Sequence, residues 1–174
     1  MPMLTDDQIE IYWKLFVNRS DYSRQASVAN ASGKHSYFRA RKRVSLEPLA
    51  LTKRQLREHL QGYITLGLYN LSPQSTAKWL AIDADYPDSL DHLRLLQQRF
   101  RQDGVTSLIE ESRRGGHLWI FASEPLNALS ARIYLHARAS ELGLPAKSLR
   151  QSDGTFPVEG LEIYPKQSCV KESE

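Results

Sequence analysis

Trp79-Leu80-Ala81-Ile82-Asp83-Ala84-Asp85 is the stretch on which the reading of this chain turns. A short apolar segment that ends in two carboxylates two residues apart predicts a buried strand over Lys78–Asp83. Side chains alternate along a strand, so Leu80, Ile82 and Ala84 take one face and Asp83 and Asp85 the other. Two like charges side by side repel. A divalent cation would relieve that cost, and oxygen-only donors suit Mg²⁺ or Mn²⁺ rather than zinc.

Downstream, Pro87-Asp88-Ser89 opens a helix in which Leu90, Leu93, Leu96 and Phe100 form an apolar stripe, closed by Gly104. Val105–Glu110 reads as a strand, Arg113-Arg114-Gly115-Gly116 as a turn and His117–Ala122 as a strand. Asn127 caps a helix that runs to Leu142 and ends at Gly143 and Pro145. Leu161–Tyr164 is a last strand, stopped by Pro165. The order β-α-β-β-α-β predicts an α+β fold on the ferredoxin-like, or RRM-like, plan. There the first strand is central, antiparallel to the third and the fourth. Its C-terminal end then lies beside the beginnings of both, which gathers Asp83, Asp85, His117 and Glu162 on the face away from the helices. Trp119, Phe121 and Tyr164 share that face and require cover.

The N-terminal part would supply the cover. Thr5 and Gln8 form a capping box ahead of Ile9, Tyr12, Trp13 and Phe16, which predicts a helix over 5–19. Residues 20–50 are polar, basic and without period, and read as loops with at most one short helix. Thr52 and Gln55 cap a second helix ended by Gly62, and Tyr63–Tyr69 reads as a strand. The expected division is a small, basic α/β module over 1–76 and an RRM-like catalytic module over 77–167, with a tail at 168–174.

The 174 residues suffice for one domain with a small appended module, and 41% hydrophobic and 25% charged residues are ordinary for a globular protein. No apolar run approaches the ~20 residues that span a bilayer, and the N-terminus lacks a signal-peptide pattern. One cysteine, Cys169, excludes an internal disulfide and a Cys-rich zinc site. A cytoplasmic protein without a membrane partner is expected. Residues 1–60 hold 11 Lys and Arg against 6 Asp and Glu, while the remainder holds 12 against 14. The basic run Arg39, Arg41, Lys42 and Arg43 could contact nucleic-acid phosphates.

Three carboxylates, Asp83, Asp85 and Glu162, can hold one or two Mg²⁺ or Mn²⁺ ions, as phosphoryl-transfer sites do. The adjacent Ser112-Arg113-Arg114-Gly115-Gly116-His117 offers a hydroxyl, two guanidiniums and an imidazole, groups that suit a triphosphate. Lys166 could add a phosphate contact. The stretches Ile82-Asp83-Ala84-Asp85, Ser112-x-x-x-x-His117-Leu118-Trp119-Ile120-Phe121 and Leu161-Glu162-Ile163-Tyr164-Pro165-Lys166-Gln167 resemble the three motifs of the archaeo-eukaryotic primase superfamily. Within it the chain is most similar to bacterial primase-polymerases of conflict-system and CRISPR-associated type, over residues 60–167.

The resemblance implies an enzyme that joins NTPs or dNTPs on a DNA template, with Asp83, Asp85 and Glu162 as ligands of two divalent ions. It implies Ser112 and His117 as nucleotide-phosphate contacts; Arg113 and Lys166 are added to them from their own place beside the site. Helicase, nuclease or CRISPR-adaptation partners follow from family context alone. The chain ends 12 residues after Glu162, where family members continue, so a trimmed, naturally short or incomplete domain is expected. A metal-dependent nuclease and a non-catalytic single-stranded DNA-binding module are the alternatives.

Overall fold

The structure, a computed structural model, describes residues 4–150 and 154–170. The end of the expected tail, 171–174, lies outside them. The chain divides into two compact units, Met1–Ser72 and Pro73–Glu174.

In the first unit, α1 (Asp6–Phe16) and α2 (Lys53–Leu60) each begin with a complete capping box, Thr5 with Gln8 and Thr52 with Gln55. The cap hydroxyl accepts from the third backbone N–H, and the glutamine side chain accepts from the cap's own N–H. Strands β1 (Tyr22–Gln25), β2 (Tyr37–Arg39) and β3 (Leu66–Leu68) form an antiparallel sheet in the order β2-β1-β3. Val17, Tyr22, Ala40, Leu51 and Leu66 make its core, with Trp13, Ile64 and Leu68 packed on them.

Two strands therefore stand within 20–50, where the sequence predicts loops. Only Tyr22 of the β1–β2 hairpin is buried, and Tyr37 and Phe38 are each 52% exposed. A hairpin that puts one side chain into the core leaves no period in the sequence. The third strand is shorter than Tyr63–Tyr69 because the Tyr63 N–H is bonded to the Glu58 carbonyl and belongs to the end of α2.

The second unit runs β4 (Thr76–Ala84), α3 (Ser89–Gln102), β5 (Leu108–Glu111), β6 (Gly116–Asn127), α4 (Ala128–Glu141) and β7 (Glu162–Tyr164). Its strands are ordered β5-β6-β4-β7, every neighbouring pair antiparallel. Leu80, Ile82 and Ala84 of β4, Leu118 and Ile120 of β6, and Ile163 of β7 are buried. So are Leu93, Leu96 and Phe100 of α3 and Ala131, Leu135 and Ala139 of α4. The helices meet where the rings of Phe100 and Tyr134 stack at 5.7 Å. Full burial of side chains such as Phe100 and Leu93 contributes about 1.5–3 kcal/mol each. Leu90 is only half-buried, and Ser89 is buried in its stead. The strand expected from Val105 begins at Leu108 instead, because the Val105 N–H is bonded to the Phe100 carbonyl and closes α3.

Candidate active site

The alternation of β4 points Leu80, Ile82 and Ala84 into the core, so Asp83 emerges on the opposite face and is half-buried. Register fixes its neighbours. Asp83 pairs with His117 of β6 on one side and with Glu162 of β7 on the other. Two residues far away in sequence thus flank one carboxylate because the strands on both sides are antiparallel to β4. Asp85 lies just past the end of β4.

Gly115 and Gly116 make the start of β6 fit against the end of β4. A Cβ on Gly115 would lie 2.0 Å from the Ala84 carbonyl oxygen and 2.6 Å from Ser89 Oγ. One on Gly116 would lie 2.7 Å from the Glu110 carbonyl oxygen. The Gly-Gly pair is therefore required for close approach. Ser112 closes the preceding turn, its N–H bonded to the Gly115 carbonyl at 2.9 Å. Arg113 projects from that turn into solvent.

The carboxylates face cations of the chain itself. Arg114 Nη2 lies 2.5 Å from Asp85 Oδ2. Glu162 accepts from two ammonium groups, Lys147 at 3.0 Å on Oε1 and Lys166 at 2.6 Å on Oε2. His117 stands between two acids, its Nε2 3.6 Å from Asp83 Oδ1 and its Nδ1 3.3 Å from Glu110 Oε2. Asp83 Oδ1 itself is buried and accepts no hydrogen bond among the described residues.

The electrostatics of neighbouring acids diverge. Burial pushes the Asp83 carboxyl above its ordinary range; His117 opposes the shift, and the charges of Asp85 and Glu162 add to it. Hydrogen bonds from Lys166 and then Lys147 hold Glu162 below its ordinary range. Among the described residues, no group of three or more His, Cys, Asp or Glu side chains is arranged to hold a metal ion. Asp85 and Glu162 are turned to their own cations instead.

Sequence reasoning does not single out several of these residues. Glu110 reads from the sequence as a strand-end surface position close to the site; it is exposed, and it lies directly opposite His117 in the β5–β6 hairpin. A register count across that hairpin would find it. Arg114 belongs to the turn already noted, but its partner depends on how the turn folds back. Lys147 sits in the segment before β7, fixed by a bond from its N–H to the Leu161 carbonyl, and it has no sequence signature.

The N-terminal basic run lies in the first unit. Arg39 and Arg19 both bind Asp21, at 2.7 and 2.6 Å. Burial raises the Asp21 carboxyl, but the two arginines outweigh it and hold the group below its usual range. Arg41 donates to the Leu46 carbonyl and Lys42 pairs with Glu47, while Arg43 is exposed.

The model of the archaeo-eukaryotic primase domain of TOTE conflict systems matches residues 7–170. The chain belongs to this family. Its members make up a primase-like nucleotidyltransferase group, and nucleic acid and nucleotides are the substrates such a domain implies. No curated protein matches the chain. No helix among the described residues is long and apolar enough to cross a membrane.

Proposed function

We propose that the chain is a primase-polymerase catalytic domain that joins nucleotides on a DNA template. The observation that carries this is the register of Asp83 between His117 and Glu162 at the C-terminal end of a central strand, in a chain of the primase family. The strand order β7-β4-β6-β5 supports an RRM-like catalytic module over 77–167, with 1–76 as a second, basic module.

Asp83, Asp85 and Glu162 would hold two Mg²⁺ or Mn²⁺ ions. Their donor chemistry fits that group: they offer only hard oxygen donors, and among the described residues Asp83 Oδ1 is a buried acceptor without a donor. Bound ions would supply activation of the primer 3′-hydroxyl and charge neutralisation on the leaving pyrophosphate. Ser112 and His117 contact the triphosphate, and Arg113 and Lys166 add charge-assisted bonds to its oxygens. Glu110 Oε2, which accepts from Trp119 Nε1 at 2.8 Å, lies 3.3 Å from His117 Nδ1 on the side opposite Asp83. Arg41, Lys42 and Arg43 track template phosphates from the first unit, with Arg39 braced on Asp21.

The test is incorporation of labelled NTPs and dNTPs on a single-stranded DNA template, with and without a primer, in Mg²⁺ and in Mn²⁺. Product is expected from the wild-type chain and none from Asp83→Ala/Asp85→Ala. Full synthesis by the double variant overturns the assignment. DNA and nucleotide binding without any product would favour the non-catalytic binding module.

A further inference from the structure

Lys147 is a cation of the second unit that the proposed reaction leaves unused. It lines a cavity of about 330 Å³ together with Arg132, Ser148, Glu162, Ile163 and Lys166. Three cations and one carboxylate face that space, so the cavity carries an excess of positive charge beside a proposed metal ligand. It lies on the β7 side of Asp83, whereas the Ser112–His117 turn lies on the β6 side. Arg132 is held in place by a bond from Nη1 to the Pro165 carbonyl at 2.8 Å. The Lys147 and Lys166 side chains remain 37% and 58% exposed, open to a ligand.

Both oxygens of Glu162 are taken by ammonium groups, Oε1 by Lys147 and Oε2 by Lys166. A divalent ion that reaches Glu162 must displace at least one of them, and like charges then repel unless the ammonium finds another anion. A lysine is suited to such a move, being a point charge on a flexible stem. We propose that Lys147 is a counter-ion switch: it neutralises Glu162 in the empty site, and on loading it releases the carboxylate to the divalent ion and binds a nucleotide phosphate in the cavity. The inference rests on the nucleotidyltransferase reading above. Its consequence is that metal and nucleotide bind cooperatively, each supplying the charge that the other's arrival leaves unpaired.

The test uses Lys147→Met, which keeps the length of the stem without the charge, and two binding readouts that need no turnover. Mn²⁺ alone is titrated by loss of the free-ion EPR signal. Non-hydrolysable ribo- and deoxyribonucleoside triphosphate analogues are followed by equilibrium dialysis in Mn²⁺. The variant is expected to bind Mn²⁺ alone about fivefold more tightly and the analogue about tenfold more weakly, within the range of common coupling effects. Lys147→Arg should restore most of the analogue binding. Opposite signs separate the switch from a merely structural role, which would weaken both ligands. Wild-type binding of both with the variant weakened in both, or unchanged in both, overturns the switch and leaves the proposed function standing. A wild-type chain that binds neither overturns both.

Discussion

Gly115→Ala should separate the sheet from its site. The added Cβ would meet the Ala84 carbonyl oxygen at 2.0 Å and the Ala84 carbonyl carbon at 3.0 Å. These are main-chain atoms of β4, which cannot swing aside as a side chain could. Ordinary contacts need roughly 3.5 Å, so the start of β6 must shift by about 1 Å or more. Overpacking of this kind costs about 1–3 kcal/mol, and a backbone obstacle puts this position at the upper end. For a chain of this size, about 3 kcal/mol lowers Tm by roughly 6–12 °C. The shift also moves His117 away from Asp83, its partner across the ladder, and a misplacement of about 1 Å can cost 10²-fold in rate. Thermal unfolding followed by tryptophan fluorescence, run beside primer extension, measures both. Gly104→Ala is the control: Gly104 has φ +77 with nothing within 4 Å of its Cβ position, so it should lose about 1–2 kcal/mol from left-handed strain alone and keep its activity. A Gly115→Ala chain that melts within about 2 °C of wild type and extends primers at the wild-type rate would refute the close approach and the placement of the site built on it.

Asp83→Asn is expected to abolish incorporation while leaving the fold as stable or more so at neutral pH. The folded carboxyl is raised above 3.8, so its stabilising contribution is present below the unfolded value and lost as pH rises through the folded one. Denaturant midpoints of the variant and wild type should therefore converge in acid and separate near pH 7, with the variant the more stable of the two. Glu162→Gln has the opposite sign. The folded Glu162 is lowered below 4.5 by Lys166 and Lys147, so its contribution is present above the unfolded value and lost as pH falls through the folded one. Urea midpoints should show the variant less stable at neutral pH and level with wild type in strong acid, by a modest amount because a partly exposed pair is screened. Phe100→Ala empties the meeting point of α3 and α4 and should cost about 3–5 kcal/mol by urea unfolding.

What the sequence made legible was what periodicity and topology determine together. The two capping boxes mark the starts of α1 and α2 in the first unit; the apolar positions of β4 and the order of elements in the second unit suffice to bring Asp83, His117 and Glu162 together, because antiparallel register leaves little freedom once the strands are assigned. The β1–β2 hairpin was not legible, since Tyr22 is its single buried side chain. The ion pairs of the site were not legible either. Lys147 and Glu162 meet only because the segment after α4 returns along β7, with Ala146 bridged in parallel to Leu161. Arg114 meets Asp85 only because Gly115 lets its turn close over the end of β4. Both depend on the path of irregular backbone, which carries no period.

Those same contacts explain how so short a strand can hold a site residue. β7 has three residues and pairs with β4 only at Ala81, Ile82 and Asp83. Three ladder positions at a sheet edge would fray without support. The support comes from outside the ladder. The Leu161 N–H is bonded to the Pro145 carbonyl, the Lys147 N–H to the Leu161 carbonyl, and Arg132 of α4 holds the Pro165 carbonyl. Leu161 and Ile163 are buried on either side of Glu162. Residues that brace β7, Arg132 and Lys147, are thus also two of the three cations of the cavity beside Glu162. A phosphate bound there would touch the groups that position the carboxylate, so on this proposal nucleotide occupancy would be mechanically linked to the placement of Glu162. The main chain of Lys147 does the bracing and its side chain faces the cavity, which is why Lys147→Met can remove the charge and leave the strand in place.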